Sequence, residues 1–106
     1  MPALEVSIWH VTCDGTPAAP GPDGFVHASF TRQLDGTLAL HFAGAREVVL
    51  LLLDPARLGP ALRLEPSRGG EAFPHVHRAL RPQDVLAHAF LRRGADGRFP
   101  LGLLPA

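Results

Sequence analysis

The chain has 106 residues, with ten arginines against ten acidic residues, six histidines, one cysteine and 46% apolar residues. That length holds one domain, residues 1–106, and the balanced charge offers no basic excess for nucleic-acid binding. Cys13 alone excludes an intrachain disulfide and a cysteine-based zinc cluster. The N-terminus has no basic region followed by a long apolar run, and the longest apolar stretch, Val48 to Leu53, is far below the ~20 residues that cross a bilayer. These features predict a cytoplasmic protein with no membrane partner, monomeric by default.

Leu4 to Thr12 alternates as a strand, with Leu4, Val6, Ile8, His10 and Thr12 on one face. Asp14 to Asp23 holds three prolines and two glycines and reads as a loop. Phe25 to Ser29 is predicted as a second short strand, with Phe25, His27 and Ser29 on one face. Ser29 or Thr31 then caps a helix running to Phe42, with Leu34, Leu38, His41 and Phe42 at helical spacing. Gly36 weakens that helix and Gly44 suits its stop. Glu47 to Leu53 is an uninterrupted apolar run, predicted as a central strand buried on both faces.

Asp54 to Gly59 reads as a turn or single helical turn, and Ala61 to Glu65 as a strand with Ala61, Arg63 and Glu65 on one face. A glycine-rich loop leads to Phe73-Pro74-His75, and Pro82-Gln83-Asp84 opens a strand over Val85 to Arg93. Ala95-Asp96-Gly97 is expected to turn the chain back into a terminal hairpin through Arg98 to Leu101. Mostly strands with one principal helix is an α+β fold with mixed or antiparallel sheets.

Three elements place titratable groups where the flanking sequence wants apolar strand: His10, then His27 and Ser29, then Glu65 with His75 and His77. Burying such groups unpaired is costly, so they either satisfy one another in the core or line a shared cleft. His27 and Ser29 on one ideal strand face stand roughly 7 Å apart, far enough to bracket one ligand group. His75-x-His77 has the spacing that some zinc sites use, with His10, His27 or Glu65 as a third ligand. His41, His88 and Cys13 are assigned no role, and the absence of lysine and tyrosine removes both from any mechanism.

The same phrases resemble a bacterial family, domain of unknown function 952. The resemblance lies in Trp9-His10, Gly24 to Ser29, Gln33, Asp54 to Leu58, Glu65 and Phe73-Pro74-His75. Two departures stand out. Asp14 to Asp23 replaces a tryptophan-bearing helix, and His77-Arg78 replaces Tyr-Gly, which implies a more open and more basic cleft.

The family's fold is similar to the ADP-ribosylation fold. The resemblance implies that Trp9-His10 corresponds to a strand-borne, ribose-holding histidine and Val26 to Ser29 to the His-x-Ser segment of RNA 2′-phosphotransferases. Glu65 would stand for a catalytic glutamate. The cofactor is left open, with NAD as the candidate. The leading expectation is a cleft for a nucleotide-like or anionic small molecule, extended to a transferase acting on NAD or a ribose-phosphate. In it His27 and Glu65 are catalytic, and His10, Ser29 and His75 bind substrate. The alternatives are a non-enzymatic internal histidine network and a metal site built on His75 and His77.

Overall fold

The apolar run is the centre of the molecule. In the computed structural model, which describes residues 6–106, Glu47–Leu53 forms strand β4, and Val48, Leu50 and Leu51 are fully buried. A strand can lose both faces to the core only if layers cover it on each side. Val49, Leu51 and Leu53 pack with Ile8, Val26 and Val76, whereas Val48 and Leu50 pack with Trp9, Leu34, Leu38 and Phe99.

The sheet that carries β4 is antiparallel throughout. Its order is β3 (Ser29–Phe30), β1 (Ile8–Thr12), β4 and β7 (Val85–Arg92). A second antiparallel sheet, β2 (Val26–His27), β6 (Ala72–Val76) and β5 (Leu62–Pro66), covers one face. Two short helices complete an α+β architecture: α1, Leu34–His41, on the other face of the large sheet, and α2, Pro55–Leu58. The Asp54 side chain accepts from the Ala56 amide and caps α2. No helix among the described residues is long and apolar enough to cross a membrane.

Four local expectations change. The first strand begins at Ile8, leaving Val6 exposed, and Leu4 and Glu5 lie outside the described residues. Phe25 to Ser29 is not one strand. Val26 and His27 pair with Val76 and His75 in the small sheet, while Ser29 pairs with Trp9 in the large one, so the chain crosses between sheets at Ala28. Neither Ser29 nor Thr31 caps the helix. A 3-10 turn, Thr31–Gln33, precedes α1, and the Gln33 side chain accepts from the Phe30 amide at 2.9 Å. The terminal hairpin does not form. The Gly94 amide bonds the Arg98 carbonyl, closing a turn, but Phe99 goes into the core and Leu101–Leu103 is a 3-10 turn.

Candidate functional site

The crossing at Ala28 leaves a gap between the sheets, and a cleft of about 260 Å³ occupies it. Its walls include Trp9, Val11, Phe25 and Phe42, with His10, Asp23, His27, Ser29, Thr37 and His41 as the polar side chains. A second hollow of about 360 Å³ adjoins it, shares His27, Ser29, Thr37 and His41, and ends at Arg68 and Phe73.

His10 sits mid-strand in β1, and its Nδ1 donates to the His27 carbonyl at 2.7 Å. A carbonyl only accepts, so the proton lies on Nδ1 and Nε2 is the acceptor left on the ring. Burial lowers the His10 pKa, more than the His27 carbonyl raises it, and so favours that neutral form. His27 itself is exposed, and its Nε2 meets Asp23 Oδ2 at 2.9 Å, which lowers the Asp23 pKa. Ser29 is buried, and its hydroxyl lies 2.9 Å from that of Thr37 on α1.

Arg68 reaches the same place from the loop after β5. Its guanidinium stacks over Phe73 at 4.7 Å and makes only long contacts, 3.5 Å each, to the Thr37 hydroxyl and the Gln33 carbonyl. Gly36 makes room for it, since a Cβ there would stand 2.9 Å from Arg68 Nη2. The glycine that weakens α1 is therefore the one that lets a cation lie against the helix.

Glu65 and His75 do not line the cleft. They lie on the outward face of the small sheet, opposite the face where Val26 and Val76 enter the core. His75 pairs across the ladder with His27 on one side and Arg63 on the other. Glu65 is thus its diagonal neighbour, within reach of a long side chain. Glu65 Oε1 accepts from His75 Nδ1 and from His77 Nε2, both at 2.8 Å, and these two bonds lower the Glu65 pKa, with His77 the larger cause. The His75-x-His77 pair therefore shares a carboxylate, and among the described residues no group of three such side chains is arranged to hold a metal ion.

His75 is 3% exposed. The Phe25 ring stacks on its imidazole at 3.9 Å between centroids, and the His27 ring stands edge-on at 5.5 Å. Of the five residues expected to converge, His10, His27 and Ser29 share one space, and His75 with Glu65 lies behind Phe25 and His27.

The basicity expected from Arg78 does not reach the cleft. Arg78 forms a fork on the fully buried Asp84, with bonds of 2.7 and 3.0 Å, so its charge is already matched. Thr37, His41 and Arg68 are cleft residues that the sequence did not single out. A glycine inside a helical pattern was the one signal that something packs closely there.

Fold and site together define a small α+β protein with a histidine-bearing cleft between two antiparallel sheets. Residues 10–88 match the family described as "Protein of unknown function (DUF952)", and the chain belongs to that family. The crystal structure of protein CC0527 from Caulobacter crescentus is similar, with 32% identity and a TM-score of 0.78 over 91% of this chain and 95% of that one. Its solution NMR structure is similar too, with 33% identity and a TM-score of 0.73 over 89% and 90%. No curated protein matches the chain.

Proposed function

We propose that the protein binds a small anionic molecule with a flat or apolar portion, of the nucleotide or ribose-phosphate kind, in the cleft between its two sheets. The observation that carries this is the meeting of the Ser29 and Thr37 hydroxyls with the loosely engaged Arg68 at one end of an aromatic-walled cleft. Phe25 and Phe42 supply the apolar wall. His10 Nε2 is an acceptor for a ligand hydroxyl. The volumes of 260 and 360 Å³ for the two adjoining hollows suit such a ligand.

An anion favours this end for a physical reason. Four other arginines are already committed, Arg32 to Glu71, Arg78 to Asp84, Arg92 to Glu47, and Arg93 to backbone carbonyls, and Arg46, Arg57, Arg63 and Arg98 do not line either hollow. Arg68, by contrast, holds nothing at a short distance. A phosphate or carboxylate arriving there gains a charge-assisted bond without breaking an ion pair.

An ADP-ribosylation-like fold and transfer chemistry on NAD or a ribose-phosphate belong to the proposal as its finer form. His10 on β1 and the His27-x-Ser29 segment beside it support that form. The catalytic role expected of Glu65 does not draw support from the geometry, because its carboxylate holds two imidazoles outside the cleft. His27, exposed on the cleft wall with its Nε2 on Asp23, would donate a proton to a leaving oxygen from Nδ1, in its doubly protonated form.

The test is a thermal-shift and calorimetric screen against NAD, ADP-ribose, ribose 5-phosphate and nucleoside monophosphates. A ligand at 100 times its Kd stabilises the folded state by about 2.7 kcal/mol, a rise of roughly 10 °C or more in a domain this small. Arg68→Gln and Ser29→Ala should remove most of that rise. If no member of the panel moves the melting point or releases heat, the proposal fails.

A further inference from the structure

An outer strand offers a row of unpaired N–H and C=O groups to any other chain unless it is short, charged, interrupted or covered. Of the four outer strands in the two sheets, three are protected in this way. Strands β2 and β3 are two residues each. Strand β5 carries Arg63 and Glu65 and ends at Pro66. The fourth, β7, is eight residues long, and from Val85 to Leu91 it holds no proline, glycine, arginine or acid.

The ladder with β4 shows which groups of β7 are free. The Arg93 amide donates to the Arg46 carbonyl at 2.8 Å, and the register continues as Arg92 on Glu47, Leu91 on Val48 and Phe90 on Val49. Successive residues of an antiparallel strand bond alternately to one neighbour and to the other. Leu91 and Ala89 therefore bond to β4, as Arg93 does, while His88, Phe90 and Arg92 turn their N–H and C=O outward. No main-chain group among the described residues meets them.

The side chains along this edge are open as well. Phe90 is 76% exposed and Leu86 60%. His88 and Phe90 stand opposite Leu51 and Val49, on the face that the small sheet covers over β4, yet both are exposed. The covering layer thus stops short of β7. The two rings lie nearly parallel, 6.2 Å apart.

We propose that β7 is the interface of a two-fold dimer. The β7 strands of two copies pair antiparallel with Ala89 on the axis, joining the two four-stranded sheets into one of eight strands. A second copy suits this edge because β7 is its own complement. In that register His88 faces the partner's Phe90 and Phe90 faces the partner's His88, which extends the stacked pair into a row of four rings. Ala89 meets its own copy at the close, non-hydrogen-bonded position, with Cα atoms ~4.5 Å apart, where a small side chain fits.

Charge agrees with the same register. The two Arg92 residues stand about 20 Å apart along the ladder, each beside the partner's Leu86 and each keeping its own Glu47. An axis at Phe90 would set His88 against the partner's Arg92, and one at His88 would run the bulge at Leu86 against the partner's Phe90. The formal net charge of zero leaves no long-range repulsion between copies. The pairing is short beside a standard interface of about 1,600 Å², so association should be weak, in the micromolar range. No residue of β7 lines the cleft or its adjoining hollow, so this interface stands or falls apart from the ligand proposal.

Sedimentation equilibrium from about 1 µM to about 1 mM should show the mass rising from one chain to two. Amide hydrogen exchange by NMR over the same range should show the His88 and Phe90 amides gaining protection as the dimer forms. Those of Ala89 and Leu91, bonded to β4, should be protected already in the dilute protein. Phe90→Lys leaves the β4–β7 ladder intact and should weaken association about tenfold or more. If that variant is unfolded by circular dichroism, the exchange pattern of the native chain decides alone. In a Cys13→Ser background, Ala89→Cys should oxidise in air to a cross-linked dimer, since a Cα separation of ~4.5 Å is within disulfide reach.

A chain that stays monomeric at the top of the range overturns the proposal and leaves the edge to an extended segment of another protein. A dimer whose His88 and Phe90 amides exchange freely, or which a folded Phe90→Lys does not weaken, forms through another surface and overturns it too. A dimer that Ala89→Cys does not cross-link overturns the register centred on Ala89.

Discussion

Asp84 offers the sharpest test of how the fold handles charge. Its side chain is fully buried and accepts both nitrogens of the Arg78 fork and the Arg81 amide at 2.8 Å. The Arg78 bonds are the largest cause holding its pKa at about 2, against an ordinary 3.8. That gap is worth about 2 kcal/mol of folding stability at pH 7. The sign follows from proton counting. The unfolded chain takes up the proton first as pH falls, so the contribution is complete above about pH 5 and most of it is gone by about pH 2.

Asp84→Asn removes the charge and leaves Arg78 half-buried without its counter-ion, at a cost of about 3 kcal/mol, or more than roughly 10 °C in melting temperature. Thermal unfolding of both proteins from pH 7 to pH 2 separates this group from the other carboxylates, which titrate in both. The melting-point gap between native chain and variant should be widest at neutral pH and shrink steadily below pH 4. A gap that stays constant across that range refutes the reasoning, because the ion pair would then contribute nothing.

His10 should titrate below 6.5 by NMR and show the Nδ1–H tautomer. Its folded pKa is lowered, so the unfolded chain binds the proton first and this group subtracts stability as pH falls below about 6.5, a slope that His10→Gln should remove. Gly36→Ala should gain about 1 kcal/mol of helix propensity, set against moving the flexible end of Arg68. Melting should thus hold or rise while binding of a phosphate-bearing probe weakens, and a variant that binds as tightly as the native chain would dissociate Arg68 from the ligand. Phe99→Ala should cost about 3–5 kcal/mol, because Phe99 is buried beside Trp9 and Leu50 with Arg93 stacked on it at 4.5 Å. A loss under 1 kcal/mol by urea denaturation would show that the C-terminal segment is not part of the core.

What the sequence made legible was whatever local pattern determines. An apolar run between a glycine and a proline has one comfortable place, the middle of a covered sheet, and Glu47–Leu53 is there. The Leu34 and Leu38 spacing likewise located α1. Pattern failed where the partner lies far along the chain. Alternation reads Phe25 to Ser29 as one straight strand, and nothing in five residues shows that Ala28 is where the chain leaves one sheet for the other. Arg98 to Leu101 alternates equally well, but Phe99 finds more apolar surface in the core than a hairpin would offer. The histidines show the same limit. Placing Glu65 on the face of Arg63 was correct, yet its bonds to His75 and His77 depend on the β5–β6 register, in which Arg63 faces His75.

The crossing at Ala28 explains why a site should be here at all. Two sheets packed face to face normally close over an apolar interior, as they do around Leu51 and Val76. Where one chain segment serves both sheets, its backbone must leave one ladder before joining the next, and groups are left over. The His27 carbonyl is one, and it is met by a side chain, His10 Nδ1, because no strand is in position to meet it. Meeting it ties down one nitrogen of His10 and frees the other, just as Glu65 ties down Nδ1 of His75 and leaves Nε2 open. Of these two imidazoles only His10 lines the cleft, as an acceptor, while the hydroxyls and the cation lie at its far end. That polarity, an acceptor at one side and Arg68 at the other, is what the proposed ligand, with a donor and an anion on the same small frame, would match.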